Sequence, residues 1–334
     1  MDLILLEKFE SDLKIVKDYI LHIELINDLA NLDIDLINND SKLNTFLSNH
    51  VVFYKEKKAF EYKSIIISVY GILEKYVELF LFEYLDSLSK VIKNYNQLSS
   101  VITRNHFLLS LELLKKIDSW SKFDHLEKNE VLNNLNDCSK NPNNYVFNKD
   151  AFVLSSNGNL KHLKIVELFS SVDVELNFLL KNTEKFKLSK NSENTFNTID
   201  ELVERRNDIA HGADRFDRID NTGLYPFVEF LEIYFTEIFY VLREDLNQKS
   251  ISHHLKNDFE KVKVLKYFPN KSVLGFEMNN YNYLIGQSVY FKARNGKYFE
   301  SKIINFIEFP EINNVTIEIF PFFTMGSSIY IKKQ

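Results

Sequence analysis

The stretch ERRNDIAHG, residues 204–212, sets Arg206 and His211 five positions apart and follows the histidine with Gly212. A histidine moves protons near neutral pH, and a guanidinium keeps its charge at any physiological pH. Together they suit hydrolysis or transesterification of a phosphodiester, the arginine neutralising the charge of a phosphorane-like transition state. The spacing does not assemble the pair by itself. Five helical steps turn the chain by about 500°, which leaves the two side chains roughly 140° apart. Either the histidine leaves the helical path before Gly212, or a two-fold dimer pools two arginines and two histidines. A third reading needs no chemistry, since Arg and His are favoured near a helix C-terminus by the dipole alone.

The elements that must position this stretch read as helices over residues 1 to about 255. Apolar residues recur at three- and four-residue steps in Leu5, Phe9, Leu13, Ile15, Tyr19, Ile23 and Ile26. The strongest segment, about 60–95, carries Ile66, Val69, Tyr70, Leu73, Val77, Leu79, Phe80, Phe82 and Leu85, and is expected as a central, nearly buried helix. Further helices are expected over 105–120, 123–135 and 160–169, the last started by Asn159 after a turn at Asn157-Gly158, and a loop over 136–145. Thr198 and Glu201 have the spacing of a capping box, so a helix carrying the motif is expected to begin there. Another amphipathic helix is expected over 225–246. From Lys261 the pattern changes to period two in six short runs, with a hairpin signal at Asn295-Gly296, and a small β-barrel is expected. The expected organisation is therefore a mostly α domain over 1–255 and an all-β domain over 256–334.

Composition narrows the partners. A net charge of -6 over 334 residues gives no global nucleic-acid footprint, yet residues 251–334 hold eleven Lys and Arg against seven Asp and Glu. The lone cysteine, Cys138, excludes an internal disulfide and a cysteine-rich zinc site. The start, MDLILLEKFESD, is not a signal peptide, and the apolar runs SIIISVYGIL and VELFLFEYL are divided by Glu74 and Lys75, so a cytoplasmic protein is expected. His22, His50, His106, His125 and His162 stand isolated, His253-His254 completes no metal site, and no phosphate-cradling glycine loop occurs.

The stretch LVERRNDIAHG resembles the R-x4-H motif of the HEPN superfamily. Beyond the Arg/His spacing, Asn207 follows the arginine, Ile209-Ala210 precede the histidine and Gly212 follows it. ISVYGILEKYVELFLFEYL resembles the long family helix whose Tyr and Glu face the motif, here Tyr70 and Glu74, and AFVLSSNGNLKHLKIVELF resembles the middle of a bacterial branch; the likeness covers roughly 55–250. The resemblance implies a helical bundle that dimerises over its active cleft and cuts RNA by attack of the 2'-hydroxyl, without metal or other cofactor. It implies His211 as general acid or base, Arg206 as the phosphate-binding cation, and Asn207, Glu74 and Tyr70 in support. RNA (transfer or ribosomal), a second copy of the chain and an antitoxin or regulatory protein are the implied partners. A toxin or antiphage effector is the implied setting, and a non-catalytic binding and dimerisation module the alternative. Arg205 and Asp208 are expected as surface or ion-pair residues, and Asp214, Arg215, Asp217 and Arg218 as solvated loop charges.

The tail carries a second likeness. KVKVLKYFPNKSVLGFEM, NYLIGQSVYF and TMGSSIYIKK resemble the second-domain barrel of translational GTPases, with Ile285-Gly286-Gln287-Ser288 and Met325-Gly326-Ser327-Ser328 at corresponding turns. It implies the barrel fold only. Tyr267, Phe268, Tyr290, Phe291 and Arg294 are candidates for stacking on RNA and contacting phosphate, against an ordinary barrel core and surface.

Overall fold

A computed structural model of the protein describes residues 1–30, 41–154, 159–187, 195–212, 219–262, 264–268, 273–276, 284–293, 296–309, 312–317 and 328–332. The chain divides into two compact units, Met1–Arg243 and Glu244–Gln334. The turns expected at Asn157-Gly158 and Met325–Ser327, the loop charges at 214–218, Arg294 and Asn295 fall outside the described residues.

The described helices are α1 (Leu3–Ala30), α2 (Ser41–Val91), α3 (Ser100–Lys116), α4 (Lys128–Lys140), α5 (Lys149–Phe152), α6 (His162–Ser170), α7 (Leu176–Lys181), α8 (Glu184–Lys187), α9 (Asn197–His211) and α10 (Asn221–Asp258). In the first unit, α1 buries Leu6, Phe9, Leu13, Val16, Ile20 and Ile23, a strict alternation of three- and four-residue steps. Ile15 and Tyr19, expected on that stripe, are 67% and 41% exposed, because Val16 and Ile20 continue the alternation from Leu13. The central helix is met by α2, which is fully buried at Ile66, Tyr76, Val77, Phe80, Tyr84 and Leu85. Phe9 joins the helices as an aromatic cluster, its ring centroid 5.1 Å from both Tyr76 and Phe235 of α10, with Phe80 5.7 Å from Phe239. Edge-to-face contacts dominate there, as the ring quadrupoles prefer. Asp12 adds a polar tie between α1 and α2 by accepting from Lys75 (2.7 Å) and the Tyr76 hydroxyl (2.9 Å).

The loop expected over 136–145 is corrected: α4 continues to Lys140 and a 3-10 turn spans Pro142–Asn144. The polar tract stays helical because it has something to bury. Val131 and Cys138 lie on the inner face of α4, and Cys138 Sγ is 3.9 Å from His106 Nδ1. His106 is fully buried, and its Nε2 accepts the Asn148 backbone N–H at 2.9 Å. Nδ1 therefore holds the ring proton and donates to the Tyr95 hydroxyl at 3.0 Å. Asn148 Nδ2 donates to Ser110 Oγ and to the Val131 carbonyl, so one carboxamide and one imidazole join α3, α4 and the 145–148 segment. Burial pushes the Cys138 thiol up to about 11, which leaves it inert, and pushes His106 down to about 4.

Among the described residues the second unit holds the end of α10 and seven strands: β1 (Phe259–Val262), β2 (Val264–Phe268), β3 (Val273–Phe276), β4 (Ser288–Lys292), β5 (Tyr298–Phe309), β6 (Ile312–Ile317) and β7 (Ser328–Lys332). They form one antiparallel sheet in the order β1-β7-β4-β5-β6-β3-β2. The first of the six expected runs divides into β1 and β2, and these occupy the two ends of the strand order. Alternate residues face one core, with Val289 and Phe291 opposite Ile331 and Ile329, and Val262, Leu274 and Ile303 beside them. The expected β4–β5 hairpin forms, with Gly296 at φ +86° and Lys292 paired to Tyr298. Phe291 is buried and stacked on Phe299, so it is a core residue and not a free platform for RNA.

His106 supplies a stability prediction. The unfolded side chain titrates near 6.5 and the folded one near 4, so the unfolded chain binds the extra proton between those values. The contribution is complete above pH 6.5 and is lost as the pH falls to about 4, on the order of 3 kcal/mol. Urea unfolding at pH 7 and pH 4.5 is expected to show this loss in the wild-type protein and a smaller one in His106→Gln.

Candidate active site

Helix α9 presents Ile199, Leu202, Val203 and Arg205 to the interior and packs on α2 and α6. It starts at Asn197 with Phe196 at the cap position and no side-chain cap bond. The capping box expected from Thr198 and Glu201 does not form, because the Glu201 carboxylate is engaged by Arg205, at 2.7 Å from Nε and 2.6 Å from Nη2. Arg205 is 9% exposed and also donates from Nη1 to the Tyr62 hydroxyl of α2 at 2.9 Å. Its role is structural: it forms an ion pair within α9 and a hydrogen bond that ties α9 to α2.

Arg206 lies about 100° further around the helix. Its guanidinium carbon is 4.8 Å from the centroid of the Tyr70 ring, and Nη1 donates to Asn207 Oδ1 at 3.0 Å. Asn207 in turn donates from Nδ2 to Asn159 Oδ1 at 2.6 Å. The Tyr70 hydroxyl donates to Glu74 Oε1 at 2.9 Å, which gives this half-buried carboxylate a partner one turn along α2. Burial, then the bond to Glu74, pushes the Tyr70 phenol up to about 12, against the opposing pull of the Leu160 backbone N–H and of Arg206. Tyr70 is therefore a proton donor and an aromatic floor, not a base. Among the described residues no carboxylate pairs with Arg206, in contrast to its neighbour.

His211 is exposed and is the last residue of α9. Gly212 follows at φ +66°, and its N–H returns to the Asp208 and Ile209 carbonyls. That left-handed closure is the one glycine permits without strain. The helix thus runs regularly through His211, and the histidine does not leave the helical path. Arg206, Asn207, Tyr70 and Glu74 are brought together. His211 stands apart from them on the next turn, about 7.5 Å along the axis.

Two neighbouring residues were not legible as site-related. Asn159, expected to start α6, instead reaches across to Asn207. Helix α6 begins at His162, whose backbone N–H is capped by the Asp200 carboxylate of α9 at 2.7 Å. A carboxylate from another helix does the capping, which frees the Asn159 side chain. Nothing in a spacing of 48 residues signals that contact. His162, by contrast, is buried, held between the Tyr234 hydroxyl (2.9 Å) and Asn177 Oδ1 (3.3 Å), and burial lowers its pKa. In the second unit a separate cleft of about 520 Å³ lies between the end of α10 and β4–β5, bordered by Glu244, Gln248, His254, Tyr290 and Tyr298, and contains none of the motif residues.

A helical unit whose R-x4-H segment ends its helix at glycine, faced by Tyr and Glu from the long central helix, defines a HEPN-type domain. The family model described as RiboL-PSP-HEPN matches residues 23–244, two thirds of the chain, and the protein belongs to that family. The match starts about thirty residues before the resemblance visible in the motif-bearing helices. No curated protein and no solved structure matches the chain.

The two arginines separate structure from chemistry. Arg205→Ala is expected to cost about 2 kcal/mol, since it removes charge-assisted bonds to Glu201 and strands the Tyr62 hydroxyl. Arg206→Ala should cost less, about 1 kcal/mol, the value of a cation–π contact at a half-buried site. Denaturant unfolding of the two variants measures the difference; equal losses would contradict the assignment.

Proposed function

We propose that the protein is a metal-independent endoribonuclease that cleaves cellular RNA through attack of the 2'-hydroxyl on the adjacent phosphodiester. Its HEPN-type domain covers residues 1–255, and a β-barrel domain over 256–334 serves substrate or partner recognition. The observation that carries this reading is the state of Arg206. It is oriented by an aromatic ring and a carboxamide and has no carboxylate among the described residues, so its charge remains available to a scissile phosphate. His211, exposed one turn on, acts as general acid or base, moving the 2'-hydroxyl proton or protonating the 5'-oxygen leaving group. Asn207 holds the guanidinium, and Tyr70 with Glu74 forms the floor beneath it.

Because α9 keeps the two residues on different faces, the complete site is formed by two copies of the chain meeting over α9 about a two-fold axis. Each copy then contributes its arginine and its histidine to one cleft. The β-strand ends β1 and β2, consecutive in the chain and outermost in the strand order, support reading the second unit as a closed barrel. The setting that fits is a toxin or antiphage effector in the cytoplasm, held in check by an antitoxin or regulatory protein and acting on transfer or ribosomal RNA.

The separation of Arg206 from His211 within one chain also favours a second reading, a non-catalytic module that binds RNA or a partner through its dimer face. Cleavage of RNA by the purified protein in EDTA decides between them. The nuclease is expected to leave 2',3'-cyclic phosphate ends and to lose about 10²–10⁴-fold in rate in His211→Ala, with Arg206→Ala at least as impaired. No cleavage in EDTA, or equal cleavage by the double variant, rules out the nuclease. Growth arrest on induction that survives both substitutions supports the binding module.

A further inference from the structure

Arg206 is held from two sides, and both supports end on one short piece of chain. On one side its Nη1 donates to Asn207 Oδ1, and Asn207 Nδ2 donates to Asn159 Oδ1 at 2.6 Å. On the other side the guanidinium lies over the Tyr70 ring, and the Tyr70 hydroxyl meets the backbone N–H of Leu160 as well as Glu74. Asn159 and Leu160 are adjacent, immediately before α6. Leu160 is fully buried, and the helix that follows is anchored to α9 through Asp200 on the His162 N–H and through the Lys161–Glu204 ion pair (2.6 Å). The corner is therefore fixed to the same helix that carries the arginine.

We infer that the Asn159–Leu160 corner is the positioning element of the site: Asn159, through Asn207, sets the direction of the Arg206 fork. The chemistry favours this. A half-buried arginine still has several rotatable bonds, and orienting its fork at the moment of phosphate binding costs side-chain entropy. A carboxamide chain removes that cost without neutralising the charge, which a carboxylate in the same place would do. Asn159 itself is exposed, so its bond to Asn207 adds little to the stability of the fold and acts on the arginine alone.

The inference rests on the nuclease reading for its kinetic consequence but not for its geometric one, and two measurements on the full-length protein separate them. In ¹⁵N-arginine spectra of the wild-type protein, the Arg206 guanidinium is expected to show slowed hydrogen exchange. Asn159→Ala should raise that rate about tenfold, the value of one hydrogen bond, with the urea midpoint unchanged. In RNA cleavage in EDTA, Asn159→Ala should lower kcat/KM about tenfold. Asn207→Ala should do the same, the double variant should lose no more than either, and Asn159→Ala should have no further effect in an Arg206→Lys background, where no fork remains to be held. If Arg206→Ala abolishes cleavage while Asn159→Ala cuts as fast as wild type, the positioning role is wrong and the nuclease stands. If the protein cuts no RNA yet the exchange rate responds to Asn159, the nuclease is wrong and the positioning role stands. Unchanged exchange in Asn159→Ala overturns the inference whatever the cleavage result.

Discussion

The packing of α9 against α2 sets the polar chemistry of the first unit, because a helix that buries Ile199, Leu202 and Val203 has no choice about the residues that follow. With 100° between neighbours, consecutive arginines enter different surroundings. Arg205 falls inside, and a buried guanidinium requires bonds to offset its lost hydration; Glu201 and Tyr62 provide them. Arg206 falls at the boundary, where Tyr70 offers a ring face and Asn207 an acceptor. The same two-residue sequence thus yields one structural cation and one cation that keeps its charge. Shifting α9 by a single residue would carry Arg206 into the buried place that Arg205 now fills.

Buried polar groups elsewhere follow the same accounting. His106 and His162 are both enclosed and both bonded at each ring nitrogen, so neither has a proton-transfer role, and burial holds both toward the neutral form. Asn148 uses its backbone and its carboxamide in different directions to connect α3 and α4. These residues specify how the short helices α3 to α7 assemble, since each can be satisfied in one arrangement of its partners. His211 is the contrast, an exposed histidine at a helix end with no such bonds among the described residues.

What the residues revealed in advance was whatever depended on local periodicity. Gly212 marks the end of α9, the alternation after Lys261 marks the strands, and the apolar breadth of 60–95 marks the central helix, because each is a property of neighbouring positions. The failures share a cause. Ile15 and Tyr19 fit a helical period that is also fitted by Val16 and Ile20, and only the packed partner selects between the two stripes. Thr198 and Glu201 have the spacing of a cap, yet Glu201 is taken by a stronger donor one turn further on. The tract 136–145 is polar in composition, but Cys138 finds His106 and Tyr95 from distant segments, which keeps α4 helical to Lys140. Of the site, the Arg206, Asn207, His211, Tyr70 and Glu74 set was legible through the family resemblance, and Asn159 was not, since its role exists only across 48 residues of chain.

In the proposed nuclease, the separation of Arg206 from His211 within one chain has a physical logic. An i, i+5 pair on a regular helix points two functional groups into different half-spaces, and α9 remains regular through His211, so no local distortion brings them together. In that proposed nuclease, completing the cleft from a second copy would make activity depend on association, and a phosphate between two α9 helices would face two guanidinium groups whose mutual repulsion it relieves. Substrate binding and dimerisation would then be thermodynamically linked: each anion bound between the arginines would favour the paired state by the same factor by which pairing tightens the anion. A partner that covers α9 could therefore silence the site without touching Arg206 or His211, simply by occupying the face on which the second copy must sit.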